Sequence, residues 1–454
     1  MKSSKKLNLP LTFRAEIVQP ILEAVAAGNS CAVVGIGSVG KSNLLRFLQE
    51  EAVQQHYLGE AVPDYLFVYV DVNKILKPSL WGLFELTLHQ LLMALTDRGV
   101  EQKLLDTIDL LHQKSTVPRI QPIVLRYLDR AIRMTSHQLG LIPVFLIDEF
   151  DELCRTMPPQ GFAALRALRD EYKYRLMYVV ATRLELRRLR EDALDIEPFE
   201  ELVSPRTFYP GPYSQADAEF MLKRLEARHG QPLPKKVTKA MLEATGGHPG
   251  LLREGYDLAR QRPDDFLTVL ENSPHVQDEC QRIWLSLSSA EQQAMLLLTN
   301  GEAVPAEQTE VVARLRRKGL VDGPWAASSP VFSRLFAAYI QQVHPQQIRS
   351  EVGKHIHVDR KRNIISVNGL EMRKLTRLEY RLMAYLEERR GELCTYDELA
   401  QQLYPDDMSL DGNGVSDTRL HSLVKRLRRQ IEPNPREPRY IVTVRGRGLY
   451  LVDQ

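Results

Sequence analysis

The segment that most constrains this chain is the glycine-rich stretch G-I-G-S-V-G-K-S at residues 35–42. It follows the apolar run Cys31–Val34, which predicts a buried strand, and it leads into a helical pattern over Ser42–Glu50. A strand that turns through glycines into a helix aims several backbone N–H groups and the positive end of the helix dipole at one point. This arrangement binds phosphate, so we expect a nucleotide site here.

Each residue type in this loop has a predicted task. Glycines let the backbone turn tightly and approach phosphate oxygens, the Lys41 ammonium reaches the β- and γ-phosphates, and the Ser42 hydroxyl binds magnesium. The expected cofactors are therefore ATP or ADP with Mg²⁺. The predicted cofactor-binding residues of the loop are Gly35, Gly37, Gly40, Lys41, Ser42 and Asn43.

A second apolar run, Val144–Ile147, ends in two carboxylates, Asp148 and Glu149. Ligands of open α/β sheets bind at the carboxyl ends of the strands, which is where this pair would lie. We assign Asp148 to the magnesium shell and Glu149 to polarising an attacking water. Because adjacent strand residues point to opposite sides, Glu149 could instead be a solvated strand end.

A cation ends a further predicted strand, since Met177–Ala181 is followed by Thr182 and Arg183. A guanidinium at this edge of the sheet could contact the γ-phosphate and report its loss. From the pattern alone, a surface arginine at a strand end is an equally good interpretation of Arg183.

Short apolar runs alternate with longer helical patterns as far as about residue 206, which predicts an α/β domain with a largely parallel sheet. Residues 214–262 then have helical patterns alone. A second helical block over about 281–343 ends in a short turn-rich hairpin and a last helix, which suggests a small winged-helix unit. The polar residues 344–351 are a predicted linker.

Taken together, the loop, the Asp148-Glu149 strand, Ala181-Thr182-Arg183 and Gly247-His248-Pro249 resemble the signal-transduction (STAND) ATPases related to the AAA+ class. That group includes the switch domains of bacterial transcription activators (MalT-like) and of NB-ARC-containing plant resistance proteins. The resemblance implies that Arg183 senses the γ-phosphate and that Pro249 packs against adenine. Residues 14–16 resemble the adenine-side G-R-E segment without its glycine, and residues 148–153 are equally similar to archaeal origin-recognition ATPases.

This resemblance covers about residues 10–343 and implies a fold class and its divisions. The expected fold is an α/β P-loop NTPase of the ASCE type, with a parallel sheet, a helical lid and a small winged-helix domain. The expected bounds are 1–210 for the ATPase core, 211–280 for the lid and 281–345 for the small winged-helix domain.

The C-terminal region carries a concentration of positive charge. Its predicted helices are Thr376–Arg389, Tyr396–Leu403 and Val415–Ile431, followed by a hairpin. From Arg419 to Arg447 there are nine Lys or Arg and two acidic residues, a local net charge of +7, whereas the whole chain has +2. Such clustering is typical of a face that binds nucleic-acid phosphates.

Residues 350–454 resemble the winged helix-turn-helix domain of OmpR/PhoB response regulators, through V-S-D-T-R-L-H-S-L-V-K-R-L-R-R-Q and T-V-R-G-R-G-L-Y. The resemblance implies double-stranded DNA as partner, with the third helix in the major groove and the hairpin at the minor groove. It assigns Thr418, Arg419 and Arg426 to base edges. Lys425 and Arg428 are assigned to phosphates, and Thr443 and Arg445 to the wing. His421 and Arg447 complete the predicted DNA-binding set.

The segment Tyr404–Gly414 between the second and third of these helices is longer than is usual in response regulators. There it contacts RNA polymerase, so RNA polymerase or another protein is a further expected partner.

Other classes of site have little support in the sequence. The four cysteines form no C-x-x-C pair, so neither a zinc site nor a disulfide framework is indicated. No stretch reaches about 18 consecutive apolar residues, and the first residues have no apolar run behind their charges, so we expect a cytoplasmic protein without a membrane partner.

These observations favour an ATP-dependent transcription regulator. We expect slow Mg²⁺-dependent ATP hydrolysis, and a nucleotide state that changes self-association, with a homo-oligomer in one state, and thereby DNA contact. One alternative is an origin-recognition-like, transposition or phage-defence ATPase that assembles on DNA. Another is a nucleotide-gated scaffold with weak or no turnover.

Overall fold

The chain forms two compact units, Met1–Tyr339 and Ile340–Gln454, in a computed structural model. The finer predicted division of the first unit into core, lid and small winged-helix domain stays a prediction. The described residues are 9–116, 121–190, 193–230, 232–325, 330–343, 356–360, 364–367, 370–372, 375–404, 417–432, 435, 438, 440–444 and 447–452.

The first unit contains a five-stranded sheet in the order β2-β3-β4-β1-β5, and every neighbouring pair is parallel. The predicted parallel sheet is therefore confirmed. β5 was not predicted, because two residues are too few to show a strand pattern. The strands are β1 (Cys31–Val34), β2 (Tyr65–Asp71), β3 (Ile142–Asp148), β4 (Met177–Thr182) and β5 (Thr207–Phe208).

Both faces of this sheet are covered, which explains why its strands are continuously apolar. In β1, Cys31 and Val33 face one core cluster, whereas Ala32 and Val34 face the other. The first face packs on α1 to α3 and α10 to α13, and the second on α4 to α9. Those helices are α1 (Ala15–Ala26), α2 (Lys41–Leu48), α3 (Glu51–Leu58), α4 (Leu80–Asp97), α5 (Gln102–Thr116), α6 (Gln121–Arg133), α7 (Asp151–Thr156), α8 (Pro159–Tyr172), α9 (Glu197–Val203), α10 (Gln215–His229), α11 (Lys235–Thr245), α12 (Pro249–Gln261) and α13 (Phe266–Glu271).

Beyond α13 the first unit is mainly helical, and among its described residues the expected short hairpin is represented by an antiparallel bridge between Val321 and Val331. Side-chain caps fix several helix starts. Ser288 forms a capping box with Glu291. The remaining helices are α14 (Pro274–Leu285), α15 (Ser289–Thr299), α16 (Thr309–Arg317) and α17 (Arg334–Val343).

From residue 356 onward, the described residues of the second unit form three helices and two small antiparallel sheets around an apolar core. Capping boxes begin its first two helices, at Thr376 with Glu379 and at Thr395 with Glu398. The predicted helices here are confirmed within one or two residues. The helices are α18 (Arg377–Glu388), α19 (Tyr396–Leu403) and α20 (Asp417–Ile431), and the strands are β6 (Ile356–Asp359), β7 (Ile364–Val367), β8 (Leu370–Glu371), β9 (Cys394–Thr395), β10 (Ile441–Val444) and β11 (Gly448–Leu451).

Among the helices that the structure describes, none combines the length and apolar character needed to cross a membrane. All four cysteines are buried free thiols. Burial raises the pKa of the Cys31 thiol to about 12, so this side chain behaves as a small apolar residue of β1.

Candidate functional site

The predicted phosphate loop leaves the carboxyl end of β1 and enters α2 at Gly40, whose φ of 94° lies in the left-handed region that favours glycine. Lys41 is almost fully buried, and its Nζ donates to the Gly35 carbonyl at 2.7 Å and to the Ile36 carbonyl at 3.3 Å. Burial lowers the pKa of Lys41, while the Glu149 and Asp151 carboxylates oppose that shift. The lysine thus braces the loop from inside.

The N–H groups of residues 38–42 make no hydrogen bond within the described part of the chain. They surround the start of α2, where the helix dipole favours negative charge. Ser42 is half-buried and Asn43 is exposed at the same place. Unpaired donors together with a buried ammonium fit a polyphosphate group, which supports the predicted cofactor-binding set.

The strand order brings the predicted catalytic groups to this loop. β4 lies between β1 and β3, so Arg183 at the end of β4 stands between the phosphate loop and the Asp148-Glu149 pair. Asp148 ends β3, is 1% exposed, and accepts a 2.6 Å bond from the Tyr69 hydroxyl and a 3.0 Å bond from the Glu149 N–H. A fixed buried carboxylate is suited to the magnesium shell.

Burial raises the pKa of the Tyr69 hydroxyl, and its bond to Asp148 raises it further. The tyrosine therefore stays protonated and keeps donating to that carboxylate. No group of three His, Cys, Asp or Glu within the described residues could hold a metal ion by itself. A magnesium ion at Ser42 and Asp148 would take its other ligands from phosphate and water, as is usual for this ion.

Glu149 lies just beyond β3 with a φ of 54°, an uncommon value for a residue with a side chain. Its carboxylate pairs with the exposed Arg183 guanidinium at 3.2 Å. Buried Asp151 holds the Arg183 N–H at 2.9 Å, and its second carboxylate oxygen has no partner among the described residues. The two predicted catalytic residues are thus in contact with each other.

The G-H-P segment lies directly against the phosphate loop. His248 is fully buried and caps α12, with its Nε2 3.0 Å from the Gly37 carbonyl oxygen. Pro249, the predicted adenine contact, is half-buried as the first residue of α12. The Tyr213 hydroxyl lies beside Gly40. This edge of the loop is therefore walled by residues from the helical half of the unit.

Arg14 closes the same corner. Its guanidinium stacks on the Tyr213 ring at 4.6 Å and donates to the Gly211 carbonyl at 2.7 Å. Its Nε and Nη1 are buried and have no partner within the described residues. The G-R-E-like segment thus lies beside Tyr213, whose hydroxyl is next to Gly40 of the loop.

In the second unit, α20 presents the predicted DNA-binding residues with different degrees of freedom. Arg419, His421 and Lys425 are exposed. The Arg426 guanidinium lies 3.3 Å from the buried carboxylate of Glu379 in α18. His421 packs its ring 5.3 Å from the Tyr396 ring.

Arg428 faces the hairpin instead of solvent. Its Nε and Nη2 donate to the Ile441 carbonyl at 3.1 and 2.7 Å, and Nη2 also donates to the Thr443 hydroxyl at 2.6 Å. Burial lowers the pKa of Arg428. Arg447 is exposed at the turn between β10 and β11. The predicted contact Arg445 and the side chain of Thr418 lie outside the described residues.

Several groups at these sites escaped the sequence predictions. Tyr69 lies within an apolar run, and Asp151 follows the noted carboxylates by two residues. His248 belongs to the G-H-P motif, in which the resemblance assigns a role to the proline alone. Ser286, whose Oγ accepts the Gly37 N–H at 2.8 Å, belongs to no motif.

Comparison with known proteins separates the two units. Residues 371–451 match the family model for the C-terminal domain of transcriptional regulatory proteins. Protein PetR of Rhodobacter capsulatus is 40% identical over 78 residues, which are 17% of this chain and 33% of that protein. Sensory transduction protein RegX3 of Mycolicibacterium smegmatis is 37% identical over 97 residues, which are 21% of this chain and 40% of that protein. The chain thus spans a third to two fifths of these curated relatives.

Solved structures similar to the larger part of the chain include an ATPase and an ORC1 protein. The Walker-type ATPase of Pyrococcus abyssi is 15% identical with a TM-score of 0.42, over 74% of this chain and 99% of that chain. The ORC1 protein of Aeropyrum pernix, solved in complex with DNA, is 13% identical with a TM-score of 0.37, over 74% and 94%. These likenesses concern the fold alone.

The family match and the α18–α20 helices with their β10–β11 hairpin concern the same segment of the second unit. The second unit therefore carries a domain that matches, over residues 371–451, the C-terminal winged-helix domain of transcriptional regulatory proteins of the OmpR/PhoB type, and the first unit is built on a five-stranded parallel sheet.

Proposed function

We propose that this chain is an ATP-dependent, DNA-binding transcription regulator. The observation that carries the proposal is one chain with two surfaces suited to binding phosphate. The first unit has a phosphate loop with unpaired N–H donors, and the second has a winged-helix domain with exposed cationic side chains on α20. The nucleotide state of the first unit would govern self-association and thereby the engagement of double-stranded DNA.

The nucleotide would be held by the loop and α2, with Lys41 and the N–H groups of residues 38–42 on its phosphates. Bound Mg²⁺ would supply charge neutralisation for phosphoryl transfer. Ser42 and Asp148 are placed to hold that ion, and Arg14, Tyr213 and Pro249 form the wall toward the base. The parts that would respond are the proposed lid, residues 211–280, and the small winged-helix domain, residues 281–345.

The contact between Glu149 and Arg183 supports a slow, switch-like ATPase. While Arg183 is paired with Glu149, the carboxylate contacts the guanidinium at 3.2 Å instead of a water molecule. Because Arg183 is exposed, its guanidinium can turn to γ-phosphate oxygens. That turn would release the Glu149 carboxylate to accept a proton from an attacking water.

The test is DNA affinity and oligomeric state, measured by fluorescence anisotropy and light scattering with ATP, with ADP and without nucleotide. We expect DNA affinity to change at least several-fold between ATP and ADP. The variant Glu149→Gln should bind ATP without hydrolysing it. Its DNA affinity and oligomeric state should remain those of the ATP-bound wild type. Equal DNA affinity and equal mass in all three conditions would contradict the switch.

Genome-wide occupancy then distinguishes regulation from DNA maintenance. Peaks restricted to promoters support the regulator. Occupancy concentrated at replication origins or mobile elements would replace it with a maintenance ATPase.

A further inference from the structure

The third residue of the phosphate loop, Gly37, is held on both sides by side chains from distant helices. Its N–H donates to the Ser286 Oγ at 2.8 Å, and its carbonyl oxygen lies 3.0 Å from the His248 Nε2. Ser286 directly follows α14, and His248 caps α12. Both main-chain groups of one loop residue are therefore tied to the helical half of the unit.

The direction of the His248 bond follows from its second nitrogen. The Leu251 N–H donates to Nδ1 at 3.3 Å, so Nδ1 carries the lone pair. Burial lowers the pKa of His248 to about 4, which keeps the ring neutral at physiological pH. A neutral ring with an accepting Nδ1 has its proton on Nε2. His248 therefore donates to the Gly37 carbonyl.

These bonds orient two successive peptide planes. In a planar trans peptide the C=O and the following N–H point in opposite directions. Holding the Gly37 carbonyl toward His248 turns the Ser38 N–H to the opposite side. In the preceding plane, the Gly37 N–H is held by Ser286, while the Ile36 carbonyl accepts from Lys41 at 3.3 Å. Ser38 begins the series of unpaired donors, so its direction matters for phosphate.

Glycine at position 37 allows this close approach. A Cβ there would lie 3.1 Å from the Arg282 carbonyl oxygen and 3.2 Å from the Ser286 Oγ, closer than ordinary contact. The end of α14 can reach the loop because no side chain intervenes.

The two helices that reach the loop are also bound to each other. Glu279 of α14 is buried, and its carboxylate accepts from Arg253 of α12 at 3.4 Å and from Arg282 at 2.7 Å. Gly250, at the start of α12, packs against the same carboxylate. A displacement of the loop would therefore displace both helices together.

We propose that His248 and Ser286 are positioning residues that aim the Ser38 N–H at the phosphate site and transmit occupancy of the loop to α12 and α14. The transmission rests on the proposed function, because it requires a nucleotide at the loop. The orientation of the loop does not.

Matched variants separate this role from simple structural support. Asparagine is a good helix cap, so His248→Asn keeps an acceptor for the Leu251 N–H and loses the reach to Gly37. His248→Gln restores an N–H donor at about the distance of Nε2. Ser286→Ala removes the acceptor for the Gly37 N–H. The control is Ser333→Ala, which removes a buried hydroxyl that donates to the Ala244 carbonyl at 2.8 Å and makes no hydrogen bond to the loop within the described residues.

The first measurement is amide hydrogen exchange of the full chain without nucleotide. Loss of one such bond should raise exchange of the hydrogen-bonded Gly35 and Gly37 N–H groups about tenfold in His248→Asn and Ser286→Ala. His248→Gln should recover part of the protection, and Ser333→Ala should match the wild type at the loop. We call His248→Asn and Ser286→Ala the clamp variants. If hydrogen exchange at the loop in both of them equalled that of the wild type, the positioning role would be overturned.

The second measurement adds Mg-ADP or Mg-ATP, with binding followed by a fluorescent ADP analogue. In the wild type, nucleotide should change exchange in α12 and α14, whereas the clamp variants should bind up to about tenfold more weakly and, at saturation, lose that change. If α12 and α14 of the nucleotide-saturated clamp variants showed the same change in exchange as the wild type, transmission from the loop to these helices would be overturned. If the wild type binds no nucleotide, the proposed function and transmission both fail, while the nucleotide-free measurement still decides the orientation of the loop.

Discussion

The phosphate loop and helix α20 both have sequences suited to binding phosphate, but the fold uses their polar groups in opposite ways. At the loop, the side chains of Lys41, His248 and Ser286 form hydrogen bonds with main-chain groups of Gly35 and Gly37. The N–H groups of residues 38–42 are left without a hydrogen bond within the described residues. On α20, the fold itself engages Arg426 and Arg428. The spacing of the loop motif therefore predicts correctly which donors are available. The number of positively charged side chains on α20, by contrast, overestimates how many are available to DNA phosphates.

This difference arises from the two kinds of donor. Backbone N–H groups at a helix start have no partner within the helix, so a tight loop leaves them available. A long guanidinium with five donors can find carbonyls and carboxylates of its own domain. The comparison can be tested from either region.

The largest effect should come from Lys41→Ala. The variant loses a buried ammonium that would make at least two charge-assisted bonds to phosphate, and it loses the brace on Gly35. We expect nucleotide affinity to fall about a thousandfold, roughly 4 kcal/mol, by calorimetric titration. Lys74→Ala, an exposed lysine after β2, is the control and should bind as the wild type does. Similar nucleotide affinities for the two variants would show that Lys41 of the loop does not bind the phosphates.

The second effect is a pH dependence specific to the loop side. Burial lowers the pKa of His248 to about 4, below its ordinary 6.5, and the charges of Arg14 and Lys41 act in the same direction. Between these values the unfolded chain binds the proton and the folded chain does not. The contribution is complete above pH 6.5, and stability is lost as the pH falls from 6.5 to 4, by about 3 kcal/mol in total.

That loss can be measured by urea unfolding at several pH values, followed by tryptophan fluorescence. Trp81, Trp284 and Trp325 all belong to the first unit, so the signal reports on that unit alone. His248→Asn has no imidazole and should lose about 3 kcal/mol less than the wild type over the same range. Parallel pH curves for the two proteins would show that His248 is not buried and neutral.

The third effect concerns Arg428, whose donors hold the hairpin. We expect Arg428→Ala to destabilise the second unit by about 2 kcal/mol, because three hydrogen bonds from a charged group are lost. Thermal unfolding by circular dichroism and hydrogen exchange of β10 measure this loss. Tryptophan fluorescence should stay unchanged, since the second unit has no tryptophan. Lys425→Ala, on the same helix, should alter stability by less than about 0.5 kcal/mol. Equal stability of these two variants would place Arg428 on the DNA face alone.

The smallest effect distinguishes two neighbours on α20. Lys425 is exposed, so Lys425→Ala should reduce the salt dependence of DNA binding by about one phosphate contact, similarly for all DNA sequences. Arg426 is paired with Glu379, so Arg426→Ala should reduce the salt slope less. Affinities measured by anisotropy from 50 to 300 mM salt (about a sixfold range) compare them. A larger change for Arg426 would mean that DNA outcompetes Glu379.

Much of the first site could be predicted because its signals are local. The loop at 35–42 follows from glycine and lysine spacing, and the Asp148 carboxylate follows from four apolar residues that bury a strand. Helix bounds such as Tyr396–Leu403 follow from periodicity and the Thr395–Glu398 cap. These features depend on neighbours within a few residues, which is the range over which backbone geometry and side-chain caps act.

The arrangement of the site depended on contacts between distant residues. Residue order alone does not place β4 between β1 and β3, yet that position puts Arg183 beside Glu149. Nor does it reveal that Gly37 is held by Ser286, which is 249 residues further along the chain, and by His248, which is 211 residues further along. The sequence by itself determined which groups could bind phosphate. The tertiary structure decided which of them are free, because pairing depends on packing between segments that the chain order keeps apart.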